Sequence, residues 1–140
     1  MQNTDFILDD ITYTFRQADF FKANKYLKKL TALLRGCFSL DGNKTGFDVG
    51  QLAANIGTEQ FEEIEKFILN YVTAVDENGK TVLFQNPQES SDFFNNHRSH
   101  YYQVIFEGLK FHFLGFLPSG ILSNLNTLNL EAIAQKVTTI

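Results

Sequence analysis

Three histidines and a single cysteine are the side chains of this sequence best suited to chemistry. His97 and His100 stand three apart, a spacing that puts both on one helix face. Asp92 lies just upstream, and two imidazoles with a carboxylate could hold zinc. No fourth ligand stands at a telling spacing, so the plainer reading is surface histidines at a helix start. His112 sits among apolar residues and reads as a packed core or interface side chain. Cys37 has no flanking histidine or basic cluster to lower its pKa, which disfavours a thiolate nucleophile. The run DGNKTGFD resembles the start of a calcium-binding loop, with Asp41, Asn43, Thr45 and Gly46 at its first, third, fifth and sixth places. The twelfth place, which must supply a bidentate carboxylate, is Leu52, and the normally apolar eighth is Asp48, so the segment reads as a metal-independent loop.

Other reaction signatures are absent. The glycines at 42, 46, 50 and 57 are dispersed and none precedes Lys-Ser or Lys-Thr, so there is no phosphate-cradling loop. No serine sits on a nucleophile elbow. The sequence therefore predicts a chain that is not an enzyme and needs no metal or cofactor. A net charge of −4 argues against nucleic acid as a partner. The most apolar run, Tyr101 to Leu117, is interrupted by Glu107, Lys110 and His112 and is too polar for a membrane span. The first residues, MQNTDFILDD, lack the pattern of a signal peptide, and one cysteine excludes an internal disulfide, which fits a reducing cytosol. The aromatics are lopsided, with 15 Phe, 5 Tyr and no Trp; the plainer reading makes most of the Phe core, and the sharper one gives some of them to a docking surface.

Hydropathy rhythm then places the elements. Phe6, Leu8, Ile11 and Tyr13 share one face if Asp9-Asp10 is a two-residue hairpin turn. From Ala18 to Arg35 the period becomes helical, with Phe20, Ala23, Leu27, Leu30 and Leu34 in one stripe, Lys22, Lys25, Lys28 and Lys29 opposite, and Gly36 as a stop. Ser39 to Gly50 reads as a loop and Val49 to Asn55 as a short helix. Thr58 caps an acidic helix whose stripe is Phe61, Ile64, Ile68 and Tyr71, leaving Glu59, Glu62, Glu63 and Glu65 to solvent. A second hairpin turns at Asn78-Gly79, pairing Glu77 with Lys80, Val75 with Val82 and Thr73 with Phe84. Asn86-Pro87-Gln88-Glu89 starts a short helix that ends near Asn95-Asn96. An aromatic helix follows from Tyr101 and stops at Pro118; its Gly108 and Gly115 point to a close backbone approach. The fold class is α+β: a mainly helical single domain, residues 1–140, with two small antiparallel hairpins and residues 118–140 as a loosely packed C-terminal extension.

The order of these pieces, FILDDITYTF, FFKANKYLKKLTALL, FEEIEKFILNYVTAVDENGKTVLF and YYQVIFEGLKFHFLGFL, resembles the tail assembly chaperones of long-tailed bacteriophages over about residues 5 to 117. His112 stands where such proteins are expected to carry Asn. The resemblance implies a non-enzymatic protein of the infected host's cytoplasm, absent from the mature virion. It would bind the tape-measure protein and keep that protein's apolar helices soluble while the tail tube assembles. The tail tube protein and a homo-oligomer are further implied partners, and some such proteins have a longer, frameshifted form. The alternative is a small structural or adaptor subunit retained in the tail. Helix-in-groove capture is the physical mode such work suggests, with a contact surface on Tyr102, Phe106, Phe113 and Phe116, joined by Phe20 and Leu27 of the first helix.

Overall fold

The computed structural model describes residues 2–34, 38–41, 44–47, 54 and 57–116. The chain begins with β1 (Asn3–Leu8) and β2 (Ile11–Arg16), an antiparallel hairpin in which Phe6 faces Tyr13 and Leu8 faces Ile11, as the apolar rhythm requires. Asp9 and Asp10 both have positive φ, 50° and 64°, the geometry of a type I′ turn. Aspartate tolerates this left-handed region better than most residues. Where a loop was expected, Phe38–Asp41 (β3) pairs antiparallel with Lys44–Phe47 (β4), Asp41 opposite Lys44. Turn-rich composition of this kind does not by itself separate a loop from a short hairpin.

The later hairpin, β5 (Val72–Val75) and β6 (Thr81–Leu83), adds to the first, giving one four-stranded antiparallel sheet in the order β1-β2-β5-β6. Its register differs by one residue from the expected one: Ala74 pairs with Val82 and Thr73 with Leu83. The cause is the turn. Asp76 Oδ1 accepts from the backbone N–H groups of Asn78 and Lys80, both at 2.9 Å. Gly79 takes φ 80°. These contacts close a three-residue loop with glycine in the left-handed position instead of a two-residue type I′ turn. A one-residue slip exchanges the faces of a strand. Ala74 and Val82 therefore enter the core, and Val75 and Leu83 face outward.

Among the described residues four α-helices accompany the sheet: α1 (Phe20–Leu34), α2 (Glu59–Asn70), α3 (Pro87–Asn96) and α4 (Tyr101–Phe113). The helices and the sheet together make a small α+β arrangement. Thr58 Oγ1 accepts from Phe61 N at the start of α2, and Asn86 Oδ1 accepts from Gln88 N and Glu89 N at the start of α3, with Pro87 first in the helix. A 3-10 turn, Arg98–His100, leads into α4 and another, Leu114–Phe116, follows it. The aromatic helix thus ends a turn before Pro118. Gly36, Cys37, Leu52, most of Val49–Asn55 and residues 118–140 lie outside the described residues.

The buried sheet face (Ile11, Tyr13, Phe15, Val72, Ala74, Val82) packs against Phe61, Ile64, Phe67 and Ile68 of α2, Phe93 of α3 and Val104, Ile105 and Phe106 of α4. Gly108 marks the tightest crossing. A Cβ there would meet Ile68 Cγ2 at 2.4 Å and Phe15 Cε1 at 3.2 Å, so glycine lets α4 lie directly on α2 and β2. Gly115 has nothing comparable within 4 Å, so only the first of the two glycines answers to a close approach. The basic and acidic helices meet, Lys29 of α1 bonding Glu63 of α2. Glu65 departs from the expected solvent-facing set and is 9% exposed.

Candidate functional site

His97 and His100 do not converge on a shared ligand position. His100 Nε2 donates to Asp9 Oδ2 at 2.9 Å, and its Nδ1 meets the Tyr13 hydroxyl at 2.7 Å. His97 Nδ1 donates to the Phe93 carbonyl at 3.0 Å while its ring stacks on Phe93. Asp92 accepts from Gln88 instead. Among the described residues no group of three or more His, Cys, Asp or Glu is placed to hold a metal ion. The Asp9–His100–Tyr13 chain has the composition of a proton relay. Tyr13, however, is fully buried, and burial, then the Asp9 carboxylate, hold its phenol well above the usual range. Its geometry fastens the strained β1–β2 turn to the start of α4.

The expected contact residues divide into three groups. Phe106 and Phe113 are 3% and 2% exposed and belong to the core, so in this conformation they present no surface. Tyr102 is half-buried at the first turn of α4. Beside it, Glu65 lies within hydrogen-bonding reach of Tyr101; burial, with help from Glu62, pushes its carboxyl up to about 7 despite that bond. Leu27 is half-buried against the core, whereas Phe20 and Phe116 meet at the other end of α4, ring centroids 5.4 Å apart.

That last end forms the candidate site. Asp19 Oδ2 accepts from Phe21 N and its carbonyl accepts from Ala23 N, so Asp19 starts α1 and fixes the two phenylalanines on its first turn. Phe20 and Phe21 pack edge to face at 5.2 Å yet are 59% and 77% exposed. Between them and the end of α4 runs a groove of about 390 Å³, its wall formed by Ala18, Phe20, Ala23, Phe111, His112 and Phe116, with Gln17 and Asp19 at its polar end. His112 is 7% exposed, and its ring lies among Phe67, Tyr71 and Phe111 with centroids 4.9 to 5.8 Å away. Its Nε2 is buried without a hydrogen-bond partner. Burial pushes its pKa down to about 4, so the ring is neutral at pH 7. The packed setting of His112 was legible from its neighbours in sequence, but its place in a groove was not. Phe21, Ala23 and Phe111 were not among the expected contact residues. The doublet Phe20-Phe21 carried a weak signal: adjacent helical side chains point about 100° apart, so both enter a core only where a helix is covered over a broad face.

No helix among the described residues is long and apolar enough to cross a membrane. The chain is similar to two uncharacterised proteins of Xylella fastidiosa strain Temecula1, each 27% identical over 120 residues that span 83% of this chain and 85% of the relative. An uncharacterised protein of strain 9a5c is 26% identical over the same shares. No solved structure matches. The family model for phage tail assembly chaperone protein, TAC, matches residues 6–134. That match spans nearly the whole chain, from the first hairpin through the aromatic helix and beyond: the chain belongs to the phage tail assembly chaperone family.

Proposed function

We propose that this chaperone works without catalysis, binding the tape-measure protein and keeping its apolar helices soluble until the tail tube closes around them. It acts in the cytoplasm of the infected cell and leaves before the virion is complete. The observation that supports the reading best is the Phe20–Phe21 pair, two rings held largely in solvent, the first of them lining a mostly apolar groove. Exposed aromatic surface of this kind favours a partner. Burying what remains exposed of the two rings would contribute roughly 2–4 kcal/mol before the cost of association. A grip of that size is reversible, as a holding protein that must release its client needs.

The experiment is coexpression with the tape-measure protein of the same genome, comparing wild type with a Phe20→Ser/Phe21→Ser variant. Wild type should keep the tape-measure protein in the soluble fraction and the variant should not. Equal solubility in the absence of this chain would end the reading. Stoichiometric copies in purified virions, found by mass spectrometry, would favour a tail subunit instead.

A further inference from the structure

The exposed side of α1 carries charge against the balance of the chain. The whole sequence is acidic, at −4, yet Lys22, Lys25, Lys28 and Lys29 crowd onto this one helix. Helical spacing puts Phe21, Lys25 and Lys28 in a single row, and all three are exposed. Lys22 and Lys29 stand in the next row, which faces α2. There Lys29 bonds Glu63, Tyr26 stacks on Phe67 and Lys22 Nζ lies 5.5 Å from the centre of the Tyr71 ring, so the two helices run antiparallel. The nearby carboxylates are already engaged or lie to one side. Asp19 Oδ2 accepts from Phe21 N at the start of α1, and Glu63 bonds Lys29. That bond, then the charges of Lys29, Lys25 and Lys66, hold the Glu63 carboxyl below its usual range. Glu62 stands on the other flank of α2, where its charge acts on Glu65 and Tyr101. Glu59 is one turn before Glu63, and the antiparallel run sets it beyond Lys29, toward the far end of α1. Among the described residues no carboxylate bonds Lys22, Lys25 or Lys28. The surface formed by α1 and the adjoining edge of α2 therefore keeps a positive surplus.

We propose that this row docks an amphipathic helix of the tape-measure protein whose apolar stripe sits on Phe21 and whose flanking carboxylates meet Lys25 and Lys28. The inference deepens the reading given above and rests on it. Charge complementarity names the occupant, and the row dictates its spacing. Phe21 and Lys28 are about 10 Å apart along the helix axis, with Lys25 between them. A helix lying alongside matches this with an apolar side chain and two carboxylates at three- and four-residue steps. Two observations set the surface apart from an ordinary solvated lysine face. A phenylalanine that is 77% exposed heads the row, and solvation alone gives no reason for a ring there. The Tyr71 and Tyr26 rings also hold Lys22 at 5.5 Å and Lys25 at 5.9 Å without neutralising them. Ammonium groups held in this way lose less freedom when a carboxylate arrives. Exposed pairs of this kind are individually weak and screened by salt, but they steer encounter, which suits a client that is captured and then released. The net charge of −4 disfavours nucleic acid as the occupant.

The test titrates the full chain against the tape-measure protein of the same genome at about 50 and about 500 mM salt. The variants are Lys25→Gln/Lys28→Gln, Lys25→Glu/Lys28→Glu and, on the β5–β6 turn, Lys80→Glu, which changes the net charge by as much as the Gln pair. Capture is read well below every melting temperature, so that lost stability does not pass for lost binding. Single exposed ion pairs count for little, so at low salt the Gln pair should bind a few-fold more weakly and the Glu pair about tenfold. High salt should weaken wild type by a few-fold and leave the Gln pair nearly unchanged, and Lys80→Glu should bind as wild type does. Capture that is equal in wild type and both lysine pairs, or that ignores salt, overturns the acidic-helix inference and leaves the chaperone reading standing. An equal loss in Lys80→Glu overturns it as well, since net charge and not this row would then decide. Self-association that falls in the lysine pairs while capture holds would make the row a contact between copies and overturn it. So would a single-stranded oligonucleotide that binds wild type as tightly as the client and loses its grip in the lysine pairs. If wild type captures no client, the chaperone reading and this inference fall together.

Discussion

Stability should respond to pH through two buried groups with opposite signs, and single substitutions should separate them. His112 has its pKa pushed down from 6.5 to about 4 by burial. Between those values the unfolded ring binds a proton that the folded ring refuses, so stability falls as pH falls through this window. Glu65 has its pKa pushed up from 4.5 to about 7, by burial first and by Glu62 as well, against the Tyr101 hydrogen bond. Its folded carboxyl keeps a proton that the unfolded one loses, so its contribution is full below 4.5 and disappears as pH rises through 7. At 1.36 kcal/mol per unit, each shift amounts to about 2–3 kcal/mol between pH 4.5 and 7.5. In the wild type the two slopes oppose each other, and His112 and Glu65 give little net pH dependence from 4.5 to 6.5. His112→Phe removes one slope: its stability relative to wild type should be about 2–3 kcal/mol greater at pH 4.5 than at pH 7.5. Glu65→Gln removes the other, and its gain should be greater at pH 7.5 by a similar amount. Comparing one variant at two pH values cancels any change in packing from the new side chain. Urea unfolding followed by circular dichroism at pH 4.5, 6 and 7.5 measures these differences. A gain from either variant that does not change with pH refutes the burial argument for that residue.

Gly108→Ala should destabilise by about 1–3 kcal/mol, since Ile68 and Phe15 occupy the space a methyl needs and the overpacking outweighs the gain in helix propensity. Gly115→Ala, with nothing in its way, should be neutral or slightly stabilising, and chemical denaturation of the pair tests the contrast. Tyr13→Phe should cost about 1–3 kcal/mol, because His100, 3% exposed, loses the partner of its Nδ1. A melting temperature equal to wild type would show that water replaces the hydroxyl.

What sequence could and could not convey depends on how local the deciding interaction is. The first hairpin was legible to the residue because its alternation runs through Asp9-Asp10 and only one register puts Phe6, Leu8, Ile11 and Tyr13 on one face. Asn78-Gly79 marked the second turn but not its length, since a left-handed glycine serves a two-residue and a three-residue loop alike. The Asp76 side chain settled it from outside the dipeptide. Glu65 was hidden by its company: three neighbouring glutamates make an acidic helix face, and only the arrival of Tyr101 from another helix buries the fourth. The aromatic helix offered Tyr102, Phe106, Phe113 and Phe116 as one contact surface. Packing buries Phe106 and Phe113 of that set together with Val104, Ile105, Gly108 and His112, and leaves Tyr102 and Phe116 half-buried. Because the helix is apolar nearly all round, its rhythm could not say which part faced α2 and β2.

Under the proposed function, the same geometry sets a length requirement on a tape-measure helix. Tyr102 and Phe116 are 14 positions apart, which along a helix places them about 20 Å from one another. With Phe106 and Phe113 buried between them, the two ends of α4 are separate surfaces and not one continuous stripe. A client helix that touches both must itself run about 14 residues or more. Phe20→Glu should therefore weaken capture of tape-measure fragments of every length, since it acts at the groove. Tyr102→Glu should weaken only fragments longer than about 14 residues. For those long fragments the two effects should add, because the sites lie too far apart to couple directly. A ten-residue fragment that loses affinity equally to Phe20→Glu and Tyr102→Glu would contradict this, since one short helix anchored at the groove cannot reach the first turn of α4.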